Sequence, residues 1–426
     1  MNFLRPSEGE HFYEHHKWHN DSFVLEDGLS NKFKPIKFNN NEEANCVFFE
    51  PNNVLNTSYY VGVDWLIEKE QAIYVQPKLN KEADETNYLQ MLFSALKHPE
   101  ISTCTEDLYH IKWESEEIEI EQHQDLLTPL LIIQFLSIVK QIVRKGLKKS
   151  YYKVEQNLYS RVKGKVLVGQ TIKQNLLKNK VLNTYCSYDE FGINGLENRL
   201  LKKALLFVQR YLPTLKNLNS KEYTTDIFNF IMPAFESVSD EVGLHDVRHT
   251  KSNAFYKEYA EAIKLAKLIL QRFGYNITNT SKTKIKTPPF WIDMSKLFEL
   301  YVLGLLKDKF NSKIIYHPTF NSKELDYLLL SPPMVIDAKY KPKYQTTSVL
   351  EDARQLSGYS RLHKVYETLN FSKERIIDCL IIYPNQESNN EDLSNFIELL
   401  KDPTSVMSEY VNFYKIGIKL PTIKEI

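Results

Sequence analysis

Cysteine is scarce in this chain. Four occur in 426 residues, Cys46, Cys104, Cys186 and Cys379, all far apart. None forms a CxxC pair or stands with histidine at zinc-ligand spacing, which excludes a disulfide framework and a structural zinc module and fits a reducing cytoplasm. A basic-then-apolar leader is missing, and the longest apolar run, Leu126 to Val139, is broken by Thr128, Pro129, Gln134 and Ser137. A bilayer span takes about 20 consecutive apolar residues, so this run predicts a buried helix and no membrane partner. No repeat of about 20 to 50 residues is present, nor any low-complexity tract beyond Asn39-Asn40-Asn41-Glu42-Glu43. The phosphate-loop pattern GxxxxGK[ST] is absent too: Gly164-Lys165 lacks the upstream glycine and is followed by Val166, so no nucleotide motor is encoded here. Finally, net charge is absent, with 54 Lys and Arg against 54 Asp and Glu. That argues against a strong autonomous nucleic-acid binder and leaves room for a local basic site.

What is present is an ordinary globular balance, 42% hydrophobic and 25% charged. The length predicts about three domains at roughly 150 residues each. The zero charge conceals a polarised pattern. Nine acidic residues stand against Lys112 between Glu100 and Asp125, and twelve Lys and Arg against Glu155 between Lys140 and Lys180. The second stretch is a candidate phosphate-facing surface, with Lys148, Lys149, Arg161, Lys163 and Lys165 as DNA-binding candidates; the alternative is a solvated face that binds nothing.

Residues 1–122 alternate apolar and polar in Cys46 to Glu50, Tyr59 to Ile67 and Ala72 to Lys78, which predicts a β-rich or α+β module, expected to dock on a partner. Residues 123–280 carry apolar residues at three- and four-residue steps in Pro129 to Lys149, Gly195 to Leu212 and Ala254 to Phe273, which predicts a helical middle domain. The polar stretch from Asn276, ending in Pro288-Pro289, marks the boundary. Residues 281–426 predict a helix, Trp291 to Phe310, and strands Lys313 to Tyr316, Leu325 to Leu330 and Met334 to Tyr340. A helix from Val349 to about Thr368, a strand Ile376 to Tyr383, another helix and a strand near Phe413 to Ile418 follow. The whole is a multidomain α+β and α/β chain whose last domain has a mixed sheet.

The chemistry concentrates in that last domain. Asp326 stands near the start of one expected strand and Asp337 on the next, with Ser331-Pro332-Pro333 turning between them. An antiparallel pair so joined brings both carboxylates to one end of the sheet. Two hard oxygen donors at one point suit Mg2+ or Mn2+, and the Ala338 carbonyl offers a third. Alternation puts Asp337 and Lys339 on one face, so the ammonium can orient or deprotonate a water, or neutralise charge on a phosphoryl transition state. The competing reading is an Asp337 to Lys339 ion pair at a strand end. Glu299, on the preceding helix, can assist the metal. Gln355 and Tyr359, four apart on the following helix, share a face toward substrate. Lys341 joins the DNA-binding candidates.

These residues resemble the PD-(D/E)XK nuclease superfamily, with Asp326, Asp337 and Lys339 in its motif and Gln355 to Tyr359 similar to the QxxxY element of its RecB-like branch. Leu325 replaces the leading proline. A narrower resemblance rests on Tyr74-Val-Gln-Pro-Lys78 with Leu89 to Leu92, Gly146-Leu147 to Tyr151, Arg161-Val-Lys-Gly-Lys165 and Tyr188-Asp-Glu-Phe191. It continues in Leu196 to Leu200, Ile292 to Glu299 and Ile336 to Lys341. Together these resemble the McrC family, nuclease subunit of the McrBC-type modified-cytosine restriction systems, from about residue 70 to 385. The resemblance implies a Mg2+-dependent DNA endonuclease that docks on a separate AAA+ GTPase subunit, stimulates its GTP hydrolysis and cuts the methylated DNA it delivers.

Two alternatives stand beside this: an activator or assembly subunit of a ring NTPase with a vestigial nuclease fold, and a PD-(D/E)XK nuclease of repair or RNA processing. His11, His15 and His19, joined by His16, put imidazoles on one face if that segment is helical, as a transition-metal site would need. His245-Asp246 with His249 lacks a nucleophile, and a surface helix edge fits it better. The acidic run Glu114 to Glu121 reads as a solvated strand edge or a contact for a basic partner.

Overall fold

The computed structural model describes residues 2–3, 13–15, 22–24, 35–41, 44–50, 54–69, 71–77, 85–105, 107–121, 125–211, 227–243, 256–274, 284–320, 322–341 and 346–423. Packing gathers Met1–Ile133 and Asn276–Ile426 into one compact unit and Gln134–Tyr275 into a second.

In the first unit, strands β1 (Ser22–Val24), β2 (Ile36–Lys37), β3 (Asn45–Glu50) and β4 (Val54–Thr57) form an antiparallel sheet in the order β1-β4-β3-β2. Strands β5 (Tyr60–Ile67) and β6 (Gln71–Gln76) pair antiparallel, as their alternation predicts. Lys78 lies outside the described residues. Helix α1 (Tyr88–Ala95), strand β7 (Tyr109–Ile111), strand β8 (Ile118–Glu121) and helix α2 (Leu127–Lys145) follow. Among the described residues α2 is long and apolar enough to cross a bilayer, yet 72% of its apolar window is buried inside the fold. Asp125 starts the helix, its Oδ1 accepting from the Thr128 N–H at 3.1 Å. Of the N-terminal histidines expected to share a helical face, His15 sits in a short strand, Tyr13–His15, and His11, His16 and His19 lie outside the described residues. His245, Asp246 and His249 lie outside them as well.

The second unit is not helical throughout. Strands β9 (Ser150–Tyr159), β10 (Lys165–Val166), helix α3 (Val168–Gln174) and strand β11 (Asn183–Gly192) precede helices α4 (Leu196–Tyr211) and α5 (Lys257–Gly274). β9 and β11 pair antiparallel along their whole length, from Ser150 opposite Gly192 to Tyr159 opposite Asn183, and β10 joins β11. Period-two patterning marks a strand only when one face is buried. Leu158 is the single buried residue of β9, so its sequence carries no such signal.

The chain then returns to the first unit. Strand β12 (Lys284–Thr287) pairs with β8, and β13 (Phe290–Asp293) inserts between β5 and β7. The expected helix from Trp291 therefore begins with a strand. Phe290, Trp291 and Ile292 are fully buried, and the Trp291 Nε1 donates to Asp64 Oδ2 at 2.7 Å, so long-range pairing overrides local helical spacing. Gly62 allows this insertion: a Cβ there would stand 2.1 Å from the Phe290 carbonyl oxygen.

Helix α6 (Met294–Phe310) is apolar almost all round and buried, with Asp293 Oδ1 capping the Lys296 N–H at 2.9 Å. Strands β14 (Ile314–Tyr316), β15 (Tyr327–Leu330) and β16 (Pro333–Ala338) come next, then helices α7 (Thr346–Tyr359) and α8 (His363–Leu369). The one helix expected here is broken at Ser360 to Leu362. Strand β17 (Asp378–Pro384), helix α9 (Phe396–Lys401) and strand β18 (Phe413–Ile418) complete a five-stranded sheet in the order β14-β15-β16-β17-β18. The first two pairings are antiparallel and the last two parallel, the mixed sheet the sequence predicts. α7 and α8 bury Ala353, Leu356 and Val365 against Leu328, Val335 and Ile381 of that sheet.

Candidate metal centre

β15 and β16 pair with Tyr327 opposite Ile336, so Asp326 and Asp337 occupy the next step of the same register. Directly opposed residues hold their Cβ atoms about 5 Å apart on one face, which is how two carboxylates separated by ten residues meet. The Ala338 N–H donates to Asp326 Oδ2 at 2.9 Å. Burial, followed by the charges of Asp337 and Glu299, holds the Asp326 carboxyl well above the usual carboxylate range. Asp337 is 6% exposed. Its Oδ2 has the Lys339 ammonium 3.0 Å away as a counter-charge, but no donor meets it at hydrogen-bonding angle.

Lys339 follows on the strand end and turns to the same side. Burial would lower its pKa, but Asp337 and Asp326 outweigh that and hold the ammonium above its ordinary value. The Lys339 Nζ also donates to Gln355 Oε1 at 3.4 Å, and Gln355 Nε2 reaches the Tyr359 hydroxyl at 3.0 Å. The expected shared face of Gln355 and Tyr359 is thus present, and it leads from Lys339 to the exposed side of α7.

Glu299 comes from α6. Its Oε1 accepts from the Tyr316 hydroxyl at 2.6 Å and meets His317 Nε2, with Lys296 Nζ at 3.5 Å. Burial alone would raise this carboxyl, but His317, Lys296 and Tyr316 together hold it below the usual range. The Tyr327 hydroxyl donates to the Glu299 carbonyl at 2.6 Å and ties the helix to β15. One ligand atom each of Glu299, His317 and Asp326 lies within 4.8 Å of the other two.

An orphaned buried carboxylate oxygen beside a carboxyl driven toward its neutral form is a site short of positive charge. The donors, Asp326, Asp337, Glu299 and the Ala338 carbonyl, are hard oxygens, and such a set fits a divalent Mg2+ or Mn2+ ion.

The structure gathers Asp326, Asp337, Ala338, Lys339, Gln355, Tyr359 and Glu299 around one sheet end. Lys341 does something else: its ammonium is buried against both oxygens of Asp352 on α7, at 2.9 and 2.6 Å. The remaining basic candidates lie in the second unit. Lys148 is held by Glu197 at 2.6 Å, and Lys163 by Glu190 at 3.0 Å and by the face of Tyr188. Lys149, Arg161 and Lys165 are exposed. Sequence reasoning missed Tyr316 and His317. Their only sequence signal is a Tyr-His-Pro step at a strand end, which names no chemistry until β14 is seen beside β15.

A family model described as McrBC 5-methylcytosine restriction system component matches residues 55–384. Comparison with curated proteins finds no match. Among solved structures, the chain is similar to one from a refined half-complex of a tetradecameric assembly of Thermococcus gammatolerans McrB AAA+ hexamers with bound McrC. Identity is 15%, coverage 97% of this chain and 94% of that one, and the TM-score 0.38. A chain of the Thermococcus gammatolerans McrBC complex, seen by cryo-electron microscopy, matches at 16% identity over 69% of this chain and 87% of that one, with a TM-score of 0.31. With a family match over more than half its length, the chain belongs to the McrBC 5-methylcytosine restriction system component family.

Proposed function

We propose that this chain is the metal-dependent DNA endonuclease subunit of a modification-dependent restriction complex, with a PD-(D/E)XK nuclease domain, and that it docks on an AAA+ GTPase ring which delivers methylated DNA. The observation that carries the reading is the meeting of Asp326, Asp337 and Lys339 at one end of β15 and β16, with Asp337 Oδ2 buried and lacking a donor. Asp326 and Asp337 hold Mg2+, the Ala338 carbonyl and Glu299 completing the donor set. The bound ion supplies Lewis-acid polarisation of the phosphodiester and a more acidic water. Lys339 works as a cation, since its neighbours favour the charged form; it orients the nucleophile and neutralises developing phosphoryl charge. Gln355, hydrogen bonded between Lys339 and Tyr359, steadies the substrate strand.

Docking is supported by the second unit. Of the seventeen large apolar side chains exposed among the described residues, eleven lie between Tyr151 and Leu196. Such a concentration marks a partner surface. Lys149, Arg161 and Lys165 have no carboxylate partner among the described residues and remain the DNA-facing candidates, whereas Lys148 and Lys163 are engaged internally.

The test is cleavage of methylated DNA by the purified chain with its GTPase. Asp337→Ala is expected to remove several kcal/mol of transition-state stabilisation, roughly a thousandfold in rate, while GTPase stimulation survives. Cleavage by that variant at the wild-type rate overturns the site. The same apolar surface suits an activator with a vestigial nuclease fold, and that reading predicts no Mg2+ binding at Asp326 and Asp337.

A further inference from the structure

His317 has no role in the proposed cleavage, although its position is tightly specified. It follows β14 with φ 50°, its ring stacked on Tyr316 at 3.9 Å between centroids. Its backbone N–H donates to the Asp326 carbonyl at 3.0 Å, which ties the imidazole to the residue that starts β15. Nδ1 lies 2.6 Å from the half-exposed carboxylate of Glu324, and Nε2 faces Glu299 Oε1. With Glu324 holding the Nδ1 proton, Nε2 ligates an ion once that ion takes the place of the proton between Nε2 and Glu299 Oε1, the arrangement metal-ligating histidines use. Asp326 contacts two groups of donors: Asp337 with its orphaned Oδ2 on one side, and Glu299 with His317 on the other.

We propose that Glu299, His317 and Asp326 form a mixed nitrogen and oxygen subsite for a divalent transition ion, which makes this centre select Mn2+ over Mg2+. Magnesium demands hard oxygen ligands and sheds water reluctantly, so an imidazole adds little to its binding. Manganese accepts imidazole together with carboxylate. The inference rests on Asp326 and Glu299 being ligands, as the proposed function requires, and adds that His317 discriminates between the ions.

The experiment measures binding without cleavage. The full chain is titrated with Mn2+ followed by electron paramagnetic resonance of the free ion, and with Mg2+ in competition. Wild type is expected to prefer Mn2+, and His317→Ala to lose about tenfold or more of Mn2+ affinity while Mg2+ affinity stays within about twofold. Unchanged Mn2+ affinity in that variant overturns the subsite. Should His317→Ala fail to fold, Glu324→Gln decides, because Glu324 is 56% exposed. A loss of roughly tenfold in Mn2+ affinity supports the proposal, as expected for an outer-shell partner, and no loss overturns it. Asp337→Asn separates the two readings: if it weakens binding of both ions while His317→Ala changes neither, the nuclease centre stands and only the subsite falls. If neither variant alters binding, both fall.

Discussion

The sheet end at Asp326 and Asp337 and the β9 to β11 sheet break the ordinary partition of side chains in opposite ways. At the first, Asp337 is buried and one of its oxygens lacks a hydrogen-bond donor. At the second, Tyr151, Leu177 and Val181 are more than two-thirds exposed. Several carboxylates gathered around one ammonium cost free energy until a further cation arrives, whereas an exposed apolar surface gains only when another surface covers it. Under the proposed function the first region serves an ion and chemistry, the second a protein partner. The contrast sharpens on one strand end, where Asp337 has an oxygen without a donor and Lys341, four residues on, is buried with its charge bonded to both oxygens of Asp352.

That last contrast yields the largest expected effect on folding. Lys341→Ala removes the buried ammonium that bonds both oxygens of Asp352 and is expected to cost about 3 kcal/mol, read by denaturant unfolding. It also loosens α7, so Gln355 no longer meets Lys339. A loss below about 1 kcal/mol would show that Lys341 is as free as Lys149 and would return it to the DNA-binding candidates.

Next comes the apolar surface. Leu177→Glu combined with Val181→Glu is expected to weaken ring association by about 2 kcal/mol, roughly thirtyfold, as measured by titration calorimetry. Stability should move by no more than about 0.5 kcal/mol, because both side chains are exposed. A large fall in stability with no change in association would mean that the patch supports its own unit.

A pH-dependent effect concerns Asp293, which caps α6 and so supports Glu299. Burial raises its carboxyl from the usual 3.8 to about 7, hydrogen bonds from the Lys296 and Ser295 N–H groups offsetting only part of this. The folded state then holds a proton that the unfolded chain releases near pH 4. Stability accordingly falls as pH rises from about 4 to about 7 and is level above. Asp293→Asn keeps the cap and removes that slope. It is expected to gain stability at pH 8 and nothing at pH 3, as seen in thermal melts across pH.

Much of the centre was legible in the sequence because it depends on period-two geometry. Asp326 and Asp337 flank a short turn between apolar runs, and Asp337 and Lys339 are two apart; alternation alone puts them on one side. Gln355 and Tyr359 follow from the helical repeat in the same way. The rest was not legible, for identifiable reasons. β9 buries only Leu158, so no buried face marks it in the sequence. Phe290 to Asp293 fits the helical spacing of Met294 to Phe310, and only its pairing with Tyr60 to Val63 and with Tyr109 to Ile111 makes it a strand. Lys341 looked like another basic residue in a basic run until α7 brought Asp352 against it.

By itself, then, the sequence determined which side chains share a strand face or a helix face, because those relations follow from the backbone repeat of a few adjacent residues. It also determined the cancelling acidic and basic segments. Only the tertiary structure decided that Glu299 and His317 stand beside Asp326, that Lys341 is buried, and that β13 completes a sheet begun more than two hundred residues earlier. Those relations are contacts between distant segments, set by burial of apolar faces over the whole chain rather than by any local pattern.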